Sequence, residues 1–206
     1  MRNDKIIRRL LQYRTCLERF KKIGFEQVYS YNLGKEAGVS AEQVRKDFSR
    51  FSIHGNKKAG YQIDDLLEML NKTFGKHEAK KVFIVGMGNI GRALLSYKGF
   101  LGKKIEIVAG FDIDPSKLKK REGVQLFHLD ELKTMTEQTN VNIAIIAVPD
   151  SQAQRVCDML VVCGIKGIMN FAPIVLKVPE NVFVTNINLS NELESLVYYV
   201  NEDESV

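Results

Sequence analysis

Gly86, Gly88 and Gly91 stand in the run Gly86-Met87-Gly88-Asn89-Ile90-Gly91, directly after the apolar stretch Val82-Phe83-Ile84-Val85. Glycines at that spacing let a chain turn sharply out of a strand, bring backbone close to a ligand, and start a helix pressed against the strand it has left. The N–H groups around Asn89 and Ile90 would then face outward at a helix N-terminus, where backbone donors and the helix dipole attract phosphate. Asp112 supplies the context. It ends the next apolar stretch, in Gly110-Phe111-Asp112, about 20 residues past the glycines, where a carboxylate meets the adenosine ribose hydroxyls of a dinucleotide. A carboxylate there repels a 2′-phosphate, so the pattern predicts NAD(H) over NADP(H). The competing reading of Asp112 is a turn or capping aspartate. Asp114, followed by Pro115, reads as the cap of the next helical turn.

Such a turn works only if a sheet holds it. From Lys81 onward short apolar runs alternate with amphipathic segments: KVFIV, IEIVAGF, VQLF, NIAIIAV, GIMNF and VFVTN are the strands, and the segments between them are mostly helical. Alternation of this kind predicts βαβ units, a parallel sheet and helices on both faces. Near Ser190 a capped amphipathic helix follows, with Ser190 as N-cap and Leu193, Leu196 and Val197 as its apolar stripe.

The first part of the chain is of another kind. Residues 1–78 carry 16 Lys/Arg against 10 Asp/Glu, and residues 79–206 carry 14 against 15, so the positive excess lies at the front. An anionic partner is the natural inference. Ile6, Leu10, Tyr13 and Leu17 form one helical stripe, closed by Gly24. A short helix over SYNLGKEA, a turn at Gly38 and a helix opening on Ser40, with Gln43 completing a capping box, make a helix-turn-helix. Val44, Phe48 and Phe51 fall on its inner side; Glu42, Lys46, Ser49 and Arg50 fall opposite, with Arg45 on the flank. A short basic outer row suits a recognition helix in a major groove. FSIHGNKKAGYQI then reads as a basic hairpin with Lys57 and Lys58 at its tip, the wing of a winged helix.

Catalysis finds no candidate. Of the three histidines, His54 lies in the wing, His77 in the linker and His128 after the third strand of the sheet. The strand ends AVPD and NFAP offer Asp150 and Asn170 but mainly backbone and apolar groups, and no stretch remains for a substrate domain. The three cysteines, Cys16, Cys157 and Cys163, have no metal or disulfide spacing and read as buried small hydrophobes. Neither a membrane span nor a secretory leader is visible, so the cytoplasm is the expected location.

The chain also resembles the Rex family, redox-sensing transcriptional repressors of bacteria. The resemblance rests on GVSAEQVRKDFSRF, KKAGYQIDDLL, VGMGNIGRALLSYKGF, FDIDPSK, AIIAVPDSQAQRVCD, GIKGIMNFAPIVLKVPENV and NLSNELESLVYY, in family order across nearly the whole chain. It implies a homodimer whose C-terminal helix is exchanged between partners. It further implies an inverted-repeat operator in double-stranded DNA, bound in the NAD+ or apo form and released by NADH. Carried onto this sequence, it gives DNA contact to Arg45, Lys46, Lys57 and Lys58. It places the nicotinamide among Ala147, Val148, Pro149, Asn170, Phe171, Ala172 and Pro173, and a coupling cluster at Arg14, Tyr97 and Asn188. Three departures stand out: Asn188 replaces the family's aspartate in its DLS motif, the wing lacks the FGxFG pattern, and the usual proline-containing start is missing.

The expectation is an α/β chain of four parts: a winged helix-turn-helix domain over 1–76, a linker over 77–80, a Rossmann-type doubly wound parallel sheet over 81–188, and a swapped helix and tail over 189–206. Its nucleotide contacts are expected at Gly86, Gly88, Asn89, Ile90, Gly91, Tyr97 and Asp112, and its DNA contacts at Ser40, Arg45, Lys46, Ser49 and Arg50 with the wing lysines. No catalytic or metal site is expected. A small NAD-dependent oxidoreductase with an incidental basic head, and a sensor of another adenine nucleotide such as coenzyme A, are the alternatives.

Overall fold

The structure, a computed structural model, describes residues 4–53, 60–75, 79–100, 103–119 and 123–203. The chain divides into two compact units, residues 1–78 and 79–206.

In the first unit, α1 (Asp4–Lys22), α2 (Ser30–Glu36), α3 (Ala41–Arg50) and α4 (Ile63–Thr73) surround one apolar core. The stripe expected on α1 is the stripe it buries: Ile6, Leu10, Tyr13 and Leu17 are at most 2% exposed. Phe48 of α3 meets the edge of Tyr13, ring centroids 5.5 Å apart. Gly38 turns between α2 and α3 at φ +66°. A β-carbon on Gly34 would lie 2.7 Å from the carbonyl of Val39, so glycine is required where the two helices meet. Ser40 caps α3, its Oγ accepting from Gln43 N–H at 3.1 Å. The capping box is only half formed, because the Gln43 amide turns away and donates to Asp47 at 2.7 Å.

That aspartate is the principal polar feature of the unit. Asp47 is 1% exposed and accepts from Arg9 Nε and Nη2 at 2.5 and 2.7 Å, and from the Tyr13 hydroxyl at 2.9 Å. The bond to Arg9 is a two-point fork across 38 residues of chain. Burial pushes the Asp47 carboxyl up, but the hydrogen bonds from Arg9, Tyr13 and Gln43 outweigh it and hold the group below its ordinary range.

Only part of the expected hairpin lies within the described residues. Its second arm, β2 (Tyr61–Gln62), runs antiparallel to β1 (Gln27–Val28), with Gln27 opposite Gln62 and Val28 opposite Tyr61. The tip with Lys57 and Lys58 falls outside the described residues.

The second unit is a six-stranded parallel sheet in the order β5-β4-β3-β6-β7-β8. Its strands are β3 (Lys80–Val85), β4 (Ile105–Asp112), β5 (Gln125–His128), β6 (Ile143–Ile146), β7 (Gly167–Asn170) and β8 (Phe183–Asn186). β3 begins at Lys80, within the segment read as linker. Helices α5 (Asn89–Leu95), α6 (Leu132–Thr139) and α7 (Asp150–Val162) make the crossovers after β3, β5 and β6. Alternation along β3 covers both faces: Phe83 and Val85 join a core with Ala153, Val156 and Leu160 of α7, while Val82 and Ile84 pack with Leu95 and Met87. The apolar strands are apolar because both faces are covered.

Three of the five crossovers are thus helical, in keeping with the expected pattern. Among its described residues the β4–β5 connection has only a 3-10 turn, Pro115–Lys117, and the β7–β8 connection has no helix. The latter is held by side chains instead. Gln154 of α7 donates to the carbonyl of Lys177 and accepts from its N–H, both at 2.9 Å, as a strand neighbour would.

The last helix, α8 (Leu189–Asp203), leaves Leu193, Leu196, Val197 and Val200 at least half exposed. Its cap is Asn188, whose Oδ1 accepts from Asn191 N–H at 3.1 Å; Ser190, expected as the cap, lies inside the helix.

The Asp47 network sets a pH dependence. An aspartate held low is protonated later in the folded chain than in the unfolded one. Its stabilisation is therefore complete above the unfolded carboxylate pKa of about 3.9 and is lost as pH falls through the lower folded value. Thermal melts should show wild-type stability falling below about pH 4, and Asp47→Asn should flatten that limb; parallel limbs would contradict this.

Candidate functional site: nucleotide crevice and nucleic-acid interface

The crevice forms where the sheet order reverses. β4 lies on one side of β3 and β6 on the other, so the chain ends of β3 and β6 open a gap at their carboxyl edge, the usual place for a ligand in an open α/β sheet. Gly86 leaves β3 at φ +100°, and a β-carbon there would meet the carbonyl of Ala147 at 2.5 Å and Val148 Cγ1 at 2.8 Å. The glycine turn and the Ala147-Val148 edge are thus in contact. Beyond them Gly88 faces open space, with nothing within 4 Å of a β-carbon. The N–H groups of Gly88, Asn89 and Ile90 have no acceptor among the described residues, as the start of a helix dictates. Those three donors with open space before them fit a phosphate-bearing ligand.

Asp112 sits at the carboxyl end of β4, 7% exposed, and both its oxygens are engaged. Oδ2 accepts from Met87 N–H at 2.7 Å and Oδ1 from Asp114 N–H at 2.9 Å, with Lys117 Nζ 3.6 Å from Oδ2. The carboxylate pins the middle of the glycine turn, so the turn-aspartate reading describes its contacts in this structure. Asp114 caps the 3-10 turn through Ser116 N–H at 3.0 Å, as expected of it.

The opposite wall combines Ala147, Val148 and Phe171, all half-buried, with exposed Pro149 and Pro173 and buried Ala172. Phe171 N–H donates to Ile146 O at 2.9 Å, which places β6 and β7 ends side by side. Asn170 departs from its expected place as a pocket-facing group. It is 0% exposed, its amide nitrogen donates to Ala172 O, Ile174 O and Asn186 Oδ1, and its oxygen accepts from Ala172 N–H. It shapes the wall from behind.

Acid/base groups are scarce at these strand ends. Asp150 is exposed and accepts from Ser151 N–H at 2.7 Å. His128 caps the 3-10 turn Leu129–Glu131: its Nδ1 accepts from Asp130 N–H at 3.4 Å, while Glu131 accepts from His128 N–H. Among the described residues no three His, Cys, Asp or Glu side chains gather around a point where a metal could bind. Cys16 and Cys157 are buried and Cys163 is half-buried; burial pushes the Cys157 thiol up to about 11, which keeps it protonated.

In the first unit, Arg45, Lys46, Ser49 and Arg50 are all exposed on α3, opposite buried Val44, Asp47 and Phe48. Ser40, also exposed, spends its oxygen on the helix cap. The arrangement presents cations and hydroxyls on one rigid face, which suits phosphate and base-edge contact.

The three residues expected to couple the halves have these surroundings, each within its own unit. Arg14 is 6% exposed, its guanidinium 5.2 Å from the Phe74 ring centroid and its Nε 3.8 Å from Glu18; that Nε has no hydrogen-bond partner among the described residues. Burial lowers the Arg14 pKa against the pull of Glu18. Tyr97 follows α5, 57% exposed, edge-on to Phe100. Asn188 caps α8. No described helix is long and apolar enough to cross a membrane.

Known proteins share this plan. Residues 4–49 match the family described as putative DNA-binding protein N-terminus, and residues 77–174 match the CoA binding domain family. The redox-sensing transcriptional repressor Rex of Chloroflexus aurantiacus is 38% identical over 202 residues, covering 98% of this chain and 95% of the relative. That of Clostridium tetani is 38% identical over 202 residues, covering 97% and 95%. The structure of RSP in complex with β-NAD+ and operator DNA superposes with a TM-score of 0.92 at 33% identity, over 99% of this chain and 94% of that one. RSP in complex with β-NADH gives 0.88 at 33% identity, over 99% and 96%. With a basic helix-turn-helix unit and a glycine-turn sheet unit in the same order as these full-length relatives, the chain belongs to the Rex family of redox-sensing transcriptional repressors.

Proposed function

We propose that this chain is a DNA-binding repressor that reads NADH against NAD+ and leaves its operator when NADH fills the crevice. The observation that carries the reading is the coexistence in one chain of an open backbone-donor cradle at Gly88, Asn89 and Ile90 and an exposed cationic face on α3. Support comes from the relatives named as redox-sensing repressors and from RSP structures with β-NAD+ and operator DNA and with β-NADH.

In this reading the N–H groups of the glycine turn, with Gly86 and Gly91 allowing its close approach, hold the pyrophosphate. Asp112 serves twice, anchoring Met87 through one lone pair and accepting from the adenosine ribose through another. Ala147, Val148, Pro149, Phe171, Ala172 and Pro173 enclose the nicotinamide, with Asn170 fixing their loop and Tyr97 at the rim. Arg45, Lys46, Ser49 and Arg50, with Ser40 at the helix start, meet the DNA, and Lys57 and Lys58 extend the contact as a wing. Arg14, Tyr97 and Asn188 connect nucleotide state to DNA state. The protein works as a homodimer, and exchange of α8 between partners gives cover to its exposed Leu193, Leu196, Val197 and Val200. Two-fold symmetry then matches an inverted repeat. The nicotinamide is read and not turned over, because its walls are backbone and apolar groups. The site of action is the bacterial cytoplasm. The domains divide as 1–76, a linker over 77–79 since Lys80 belongs to β3, the sheet domain to 188, and 189–206.

The experiment is fluorescence anisotropy on a duplex selected by the protein from a random library, at fixed salt. NADH should release the duplex at concentrations where NAD+ does not; release by neither, or by coenzyme A instead, would overturn the reading in favour of another adenine nucleotide. Asp112→Asn should lower the NADH-over-NADPH preference at least about tenfold, equivalent to about 1.4 kcal/mol. An unchanged preference would leave Asp112 an anchor only. Asn188→Asp adds charge at the α8 N-terminus, a change worth about 0.3–1 kcal/mol. If that cap is tighter in one DNA state, the NADH midpoint should move about two- to fivefold; an unmoved midpoint would remove Asn188 from the coupling.

A further inference from the structure

The cationic face of α3 is only as useful as the angle at which it is presented. α3 meets α2 most closely, at the Gly34–Val39 crossing, and shares one apolar core with α1, where Phe48 lies on the edge of Tyr13; apolar contact of this kind is non-directional. It fixes the distance between the helices better than the roll of one about its own axis. Roll matters: about 10° at roughly 6 Å from a helix axis moves a surface atom by about 1 Å. A shift of that size spoils a bidentate hydrogen bond to a base edge.

Asp47 is placed to control that roll. It lies between Lys46 and Phe48, on the inward side of the helix whose outward side carries Arg45, Lys46, Ser49 and Arg50. Two of its donors form the planar Arg9 fork, Nε to Oδ2 and Nη2 to Oδ1, and a third is the Tyr13 hydroxyl. All three come from α1. Gln43, one turn earlier on α3, supplies the fourth and stiffens the carboxylate from its own helix. Every hydrogen bond here has a direction, and the fork fixes a plane. Tyr13 is itself 0% exposed, so its hydroxyl has no freedom to follow a turning helix.

The energetics point the same way. A buried ion pair returns little net stability, because desolvation offsets most of the attraction, and apolar replacements of similar volume are often neutral or stabilising. A chain that needed only to hold α3 down could do so with leucine and methionine. The charged fork adds orientation.

We propose that Asp47, held by Arg9 and Tyr13, is a positioning residue that sets the roll of α3 on α1 and thereby the sequence selectivity of the DNA contact. The inference rests on the reading of α3 as the DNA-contacting helix. Contacts to phosphate tolerate a small roll, since long cationic side chains reach a diffuse charge; contacts to base edges do not.

The test compares the full-length protein with two variants, measuring anisotropy on the selected duplex and on a scrambled duplex over a series of salt concentrations, alongside thermal melts. The triple variant Arg9→Met/Tyr13→Phe/Asp47→Leu replaces the fork and the buried hydroxyl by apolar contact. Arg9→Lys keeps the positive charge and loses the fork, and it serves on its own if the triple variant does not fold. Both should bind the scrambled duplex within about threefold of wild type with an unchanged salt slope, since the phosphate contacts are intact. Their preference for the selected duplex should fall at least tenfold without a matching fall in Tm. A folded Arg9→Lys protein whose preference stays within about twofold of wild type would overturn the proposal, as would equal losses on both duplexes. If wild type itself shows no preference between the duplexes, the reading of α3 as the DNA-contacting helix falls first and takes this role for Asp47 with it.

Discussion

A β-carbon on Gly91 would stand 1.9 Å from the carbonyl oxygen of Gly86, so the start of α5 lies directly on the turn that leaves β3. The rest of the second unit is arranged around that contact. It forces the chain to turn within a few residues, which sets the direction of the first N–H groups of α5, unpaired as at any helix start. Asp112 reaches across from β4 and holds Met87 N–H at 2.7 Å, so the turn has no slack. On the other side the Ala147 carbonyl lies so close to Gly86 that the β6 end forms the second lip of the crevice. The donors, the acidic corner and the apolar wall are consequences of one close approach between a helix and a sheet.

The two units solve different physical problems. The sheet unit offers backbone donors that carry no net charge beside an apolar wall whose loop is held from behind by Asn170. The helical unit offers side-chain cations and must aim them. Its positive excess lies outside, while the charges it buries, Asp47 and Arg14, are held within. Asp47 has a full set of partners; Arg14 has an aromatic face, a distant carboxylate and a free donor among the described residues. Thermodynamics demands only that NADH bind the off-DNA arrangement more tightly than the on-DNA one.

Local pattern carried most of the fold. The six strands, the α1 stripe, the inward and outward faces of α3 and the glycine turn are each written in a few neighbouring residues, because period and turn chemistry are properties of short segments. What escaped depends on partners far away in the chain. Nothing near Asp47 announces Arg9, 38 residues earlier, so the helical period leaves Asp47 without an assigned partner. Asn170 read as a ligand group because it ends a strand at the crevice; its four hydrogen bonds go to the loop beyond it and to Asn186. The Gln154 clamp on Lys177, which joins α7 to the β7–β8 connection 23 residues later, has no local signature either. Ser190 and Asn188 are equally good caps by type, and the helix begins at the earlier of the two.

In the proposed function nucleotide and operator compete through the state of one protein, and linkage makes that competition measurable from the nucleotide side. NADH binding would be measured by calorimetry with the protein free and with it saturated by its selected duplex. The coupling is reciprocal: NADH should bind the DNA-saturated protein more weakly, by the same factor by which it weakens DNA binding, while NAD+ should show little difference. An NADH affinity indifferent to bound DNA would contradict the account.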